Sequence, residues 1–101
     1  MPKKSENTIT VATLYKFVEI EDKSILQKNI LSLCEENNAK GTILLAEEGI
    51  NGTISAKKDE ILKIINTLAL DKRFQNLDVK YSLTNEQPFN RMKVRLKKEI
   101  V

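Results

Sequence analysis

Apolar positions recur along this chain with two periods, and the switches between them divide it into elements. From Ile9 to Val18 the residues are β-branched and aromatic, with Val11, Thr13, Tyr15 and Phe17 in one phase and Thr10, Ala12, Leu14 and Lys16 in the other. Both phases are fairly apolar, which predicts a strand in the middle of a sheet. The acidic segment Glu19 to Asp22 ends it, and Asp22 is placed to cap a helix whose apolar positions Leu26, Ile30, Leu33 and Cys34 fall on one stripe. Asn37 and Asn38 stop that helix, because Asn competes for backbone partners and tolerates the left-handed conformation.

The stretch from Lys40 to Ser55 is an apolar pair of runs around a polar centre. Gly41 to Ala46 and Ile50 to Ser55 are predicted to pair as an antiparallel hairpin across Glu47-Glu48-Gly49, with Gly49 at positive φ. A turn at Asn51-Gly52 is the alternative, but it strands the Ile50 and Ile54 alternation without a partner of sensible length. Ser55 is then read as the cap of a second helix in which Ile61, Ile64, Ile65 and Leu68 repeat at helical spacing, closed by Leu70-Asp71. Leu77, Val79, Tyr81 and Leu83 alternate with polar residues in a fourth strand. After a loop over Asn85 to Asn90, Met92, Val94 and Leu96 alternate with Arg91, Lys93, Arg95 and Lys97 in a fifth. The order predicts an α+β, ferredoxin-like βαββαβ sandwich: an antiparallel sheet with two helices on one face and one additional C-terminal strand.

Composition narrows the chemistry more than it names it. The 101 residues suffice for one domain with a modest core. Met-Pro-Lys-Lys-Ser-Glu-Asn at the start lacks the apolar run of a signal peptide, and no stretch approaches the ~20 apolar residues of a membrane span, so a cytoplasmic location is the expectation. There is no His and only one Cys, which leaves no His-based acid–base catalysis, no Cys/His zinc site and no intrachain disulfide. No metal or cofactor is expected in the domain. The net charge of +3 is mild, but its placement is uneven. From Lys80 onward six cations (Lys80, Arg91, Lys93, Arg95, Lys97, Lys98) face two acids (Glu86, Glu99).

The hairpin string Gly41-Thr-Ile-Leu-Leu-Ala-Glu-Glu-Gly-Ile-Asn-Gly-Thr-Ile-Ser55, with Arg91-Met-Lys-Val-Arg-Leu-Lys-Lys-Glu-Ile-Val101, resembles a bacterial family. It is similar to the N-terminal, acylphosphatase-like domain of the rhodanese-related tRNA uridine hydroxylases, and the resemblance covers nearly the whole chain. It implies that a rhodanese domain follows this one in the full protein, and that the full protein makes 5-hydroxyuridine at the tRNA wobble position with molecular oxygen. On this reading residues 1–8 are a disordered start, 9–98 the ferredoxin-like domain and 99–101 the start of a linker to the absent rhodanese domain. The family's rhodanese cysteine is not among these residues, so the resemblance implies a non-catalytic module that assists tRNA binding or orients its neighbour. A purely structural docking module and a stand-alone acylphosphatase-type enzyme are the rival readings. Against the last, the connection after the first strand, Glu19-Ile-Glu-Asp22, is acidic and lacks the Arg and Gly that a phosphate loop needs.

Three groups of residues are candidates for function. Arg91, Lys93, Arg95, Lys97 and Lys98 are the candidate RNA contacts, since alternation sets successive cations ~7 Å apart on one side of a strand; the plainer reading is a charged edge that discourages aggregation. Phe89 beside them is the candidate stacking ring, because Tyr15, Phe17, Phe74 and Tyr81 are assigned mostly to the core. Glu47, Glu48, Gly49, Asn51 and Gly52 form a candidate polar tip that docks another domain, against a plainer role in turn geometry. Cys34, on the apolar stripe of the first helix, is read as a packed core residue rather than a nucleophile.

Overall fold

The computed structural model describes residues 8–98. Within them run β1 (Ile9–Phe17), α1 (Lys23–Glu36), β2 (Lys40–Ala46), β3 (Gly49–Ala56), α2 (Lys58–Leu68), a 3-10 turn (Lys72–Phe74), β4 (Asp78–Thr84) and β5 (Met92–Leu96). The assignments of a disordered start and of a linker at 99–101 fall, apart from Thr8, outside the described residues.

The sheet order is β4-β1-β3-β2-β5. The first four strands are antiparallel, as in a split βαβ repeat, and β5 adds to the outer edge of β2 in parallel. Both helices cover one face. Ala12, Leu14, Ile43, Leu45, Ile50, Ile54 and Val94 from the strands meet Leu26, Ile30 and Cys34 of α1 and Ile61, Ile64 and Leu68 of α2 in one buried cluster. The stripes predicted for the helices are therefore the stripes that pack, because period 3.6 lines one side of each helix and period 2 lines one side of each strand.

The hairpin turns at Glu47-Glu48, and Asn51-Gly52 lies inside β3, where Asn51 pairs Leu44 and Tyr15 and Gly52 pairs Ile43 and Leu14. Gly49 opens β3 against β1 so closely that a Cβ there would sit 2.2 Å from the carbonyl oxygen of Lys16. No side chain fits in that gap, and it is backbone that would have to yield.

Two capping expectations are corrected. Asp22 does occupy the N-cap of α1, but its carboxylate makes no cap bond and instead accepts from Arg73 Nη1 at 2.6 Å. A guanidinium offers a charged, forked donor, which outcompetes a neutral backbone amide for the same carboxylate. Ser55 is not a cap at all: it lies within β3, fully buried, and α2 starts at Lys58 with the Glu60 carboxylate accepting from the Lys57 N–H at 3.1 Å. At the other end of α1 the expectation holds, with Asn38 at φ 59° and its side-chain amide donating to Glu60 Oε2 at 2.7 Å.

Candidate nucleic-acid interface

The face of the sheet without helices is built by the alternate residues of all five strands. Reading across it, one row runs Lys80, Thr13, Thr53, Thr42, Lys93, and the next runs Asp78, Tyr15, Asn51, Leu44, Arg95. Neighbouring strands lie ~4.8 Å apart, so each row is a continuous surface on the order of 19 Å wide. At its centre the hydroxyls of Thr13 and Thr53 share a hydrogen bond of 3.3 Å. One step along β1, the Tyr15 and Phe17 rings meet edge to face, with centroids 5.1 Å apart and planes at 73°.

These rings correct the sequence reading of the aromatics. Phe74 is in the core, but Tyr15 is 36% and Phe17 61% exposed. Period-2 alternation gives two equivalent faces, and only the helices decide which one is covered. Tyr81 and Leu83 are also exposed although they share the helix-facing phase, because β4 is an edge strand that α2 does not fully roof. Phe89, the ring singled out beside the cations, is half-buried in the β4–β5 crossover.

The five cations of the last segment divide by position. Val94 is buried under α1, where Gln27 Nε2 donates to its carbonyl at 2.6 Å, so the alternating Lys93 and Arg95 project on the open face. Arg91 precedes β5 and Lys97 follows it, and both continue the ladder through their backbones: the Gly41 N–H donates to Arg91 O at 2.9 Å, and the Lys97 N–H to Leu45 O at 2.7 Å. Lys98 lies beyond, exposed in a bend. All five are exposed, and Lys80 supplies a cation on the opposite edge strand.

The crossover that delivers β5 is held by a contact the sequence did not announce. The buried Ser55 hydroxyl donates to Gln87 Oε1, and Gln87 returns a bond from Nε2 to Ser55 O at 3.3 Å while also accepting from the Phe89 N–H at 3.4 Å. A Ser facing outward in a strand gives no signal of this, since its partner is 32 residues away.

Glu47 and Glu48 project at the opposite end, exposed, with Glu19 and Glu21 beside them. The backbone ties the tip to the chain leaving β1: Val18 N–H donates to Glu48 O at 3.0 Å and Ile20 N–H to Glu47 O at 2.8 Å. Two of the amides in the connection after β1, those of Val18 and Ile20, are thus already engaged and not open to a phosphoryl group. Gly49 and Gly52 are consumed by close strand approach. Asn51, of the same candidate group, points instead onto the open face beside Tyr15. Cys34 is wholly buried, and burial pushes its thiol up to about 12. Among the described residues, no cluster of His, Cys, Asp and Glu is arranged to hold a metal ion, and no helix is long and apolar enough to cross a membrane.

Comparison with known proteins bears on this geometry. The UPF0176 acylphosphatase-like domain matches residues 9–100, nearly the whole chain. The chain belongs to that family. Its relatives include proteins called tRNA uridine(34) hydroxylase from Bartonella quintana (47% identical over 96 residues, 95% of this chain), Neorickettsia sennetsu (47% over 92 residues, 91%) and Acaryochloris marina (48% over 93 residues, 92%). The UPF0176 domain spans only 32%, 33% and 30% of those relatives. Among solved structures, the fold is similar to a BLUF protein, BlrP1 (TM-score 0.69, 10% identity, 90% of this chain and 64% of that one), and to part of a bacterial light-regulated adenylyl cyclase (TM-score 0.64, 16% identity, 88% and 28%). At such identities the likeness concerns the fold alone.

Proposed function

We propose that this UPF0176 domain is a non-catalytic module of a tRNA uridine hydroxylase and that it helps hold the tRNA. The relatives' name supplies the substrate, and one observation carries the role: Lys93 and Arg95 stand side by side on the open sheet face, with Arg91, Lys97 and Lys98 exposed at the two ends of the same strand. Cations at strand spacing neutralise successive phosphates and release their counterions, which is the sequence-independent part of RNA binding. The chemistry of hydroxylation belongs, on this reading, to the rest of the full-length protein, where the family resemblance expects a rhodanese domain. Nothing in the domain's single buried thiol offers a nucleophile.

The test is tRNA affinity against salt. Affinity falls steeply as salt rises, and each of Arg91→Glu, Lys93→Glu and Arg95→Glu lowers the slope of log affinity against log salt by about 0.7–0.9 or more and weakens different tRNAs about equally. A salt-independent affinity, or unchanged binding by the triple variant, refutes the proposal.

A docking role has its own supporting observation. Thr10, Ile61, Leu62, Tyr81 and Leu83 line an apolar groove between α2 and β4, with Leu83 71% exposed, and the relatives are about three times the length of this chain. Here the groove, rather than the Glu47-Glu48 tip, seats the remainder of the protein. Chemical-shift changes at Leu62 and Leu83 on adding the separately made remainder of a relative support this second role; shifts confined to the hairpin tip point back to the tip.

A further inference from the structure

We propose that the helix-free face of the sheet is a platform for unpaired nucleotides, on which bases stack against Tyr15 and Phe17 while Lys80, Lys93 and Arg95 take the phosphates. This deepens the tRNA-holding reading and rests on it for the identity of the RNA, but it assigns the contact to a surface and to a nucleotide state.

Two aromatic side chains next to each other in phase on a central strand, one of them 61% exposed, leave apolar area in water that the fold does not use. What surrounds them is the threonine row with its hydroxyl pair, Asn51, and cations on both edge strands. That mixture suits a polyanion with apolar faces. Every base offers a π-face to a ring, the Asn51 amide has both donors and an acceptor for a base edge, and Lys80, adjacent to Thr13 in the register, brings a cation within one strand of the rings.

Charge also sets direction. Asp78 sits beside Tyr15, and Glu19, Glu21 and Glu47 lie past Phe17, whereas Lys80 stands on one edge strand and Lys93 and Arg95, continued by Lys97, stand on the other, so phosphates are drawn off the central strands to the two edges. Bases are thereby left to lie over the rings. A duplex hides its base faces in the stack and cannot use the platform, whereas nucleotides in a loop can.

The experiment uses the chain with Tyr81→Phe. It has two Tyr and no Trp, so Tyr15 becomes its only tyrosine and reports directly. The probes are an oligouridylate of about eight nucleotides, within the range one small sheet domain covers, and an RNA duplex of equal length. The single strand is expected to quench Tyr15 emission and to bind more tightly than the duplex. In the unmodified chain, Tyr15→Leu and Phe17→Leu, which keep an apolar side chain at exposed strand positions, each weaken single-strand binding about tenfold and leave the salt slope unchanged. Leu variants that bind as tightly as the parent, or oligouridylate binding without quenching, overturn the platform while the salt-dependent tRNA reading stands. Absence of binding to oligouridylate, duplex and tRNA alike at low salt overturns both. Protection of Tyr15 and Phe17 by the remainder of a relative, with no response to RNA, makes this face a protein interface and also overturns the platform.

Discussion

The clamp between Ser55 and Gln87 fixes the crossover that carries β5, and its energetics can be worked from the contacts. Gln87 takes part in three hydrogen bonds: from the Ser55 hydroxyl, to the Ser55 carbonyl and from the Phe89 N–H. A neutral bond of this kind contributes about 1 kcal/mol net. Ser55→Ala removes the first together with the hydroxyl's bond to Lys40 O and is expected to cost about 1–2 kcal/mol. Gln87→Ala removes all three and is expected to cost about 2–3 kcal/mol; the Ser55 hydroxyl is not orphaned, because Lys40 O lies within reach at 3.3 Å. In the double variant the bond between the two side chains is lost once, while the bond to Lys40 O goes with Ser55 alone, so the coupling in a double-mutant cycle is about 1 kcal/mol, the worth of that one shared bond. Thermal or urea unfolding of the four proteins measures it, and 1 kcal/mol corresponds to about 4–8 °C in a domain of this size. A coupling below about 0.3 kcal/mol, the scatter expected of independent sites, refutes the clamp as the element that holds the crossover.

Two further predictions concern titrating groups. Cys34 carries a thiol whose folded value burial raises from 9.0 to about 12, so the stability it contributes is complete below pH 9 and is lost as pH climbs toward 12. Native protein should react with a thiol reagent only at the rate of unfolding, and Cys34→Ala should flatten the alkaline fall in stability; fast labelling at neutral pH contradicts the buried assignment. Arg73 bridges Asp22 at 2.6 Å and Asp71 at 2.7 Å, and its hydrogen bonds hold both carboxyls below their ordinary value of 3.8. Depressed carboxylates stabilise the fold above that value and lose the contribution as pH falls through their folded values. Arg73→Met should therefore melt lower than the parent at pH 7, with the gap closing in acid; a gap that stays constant down to pH ~2 rules out the ion-pair account.

The amino-acid sequence determined the elements of this UPF0176 domain, the hairpin turn at Glu47-Glu48, the apolar stripes of both helices and the outward phase of Lys93 and Arg95, because those follow from local periodicity and turn chemistry, which neighbours within a few residues impose. The family, too, was legible in the hairpin string. What tertiary structure alone decided were choices between chemically equivalent options. Tyr15 and Phe17 became exposed because the helices roof the other phase of β1, and Asp22 gave up its cap for Arg73, 51 residues away. Ser55, polar and in the open-face phase of β3, is buried because the crossover loop lays Gln87 over it. Each of these depends on which distant group the fold sets against a shared surface or acceptor, and a one-dimensional pattern carries no record of that placement.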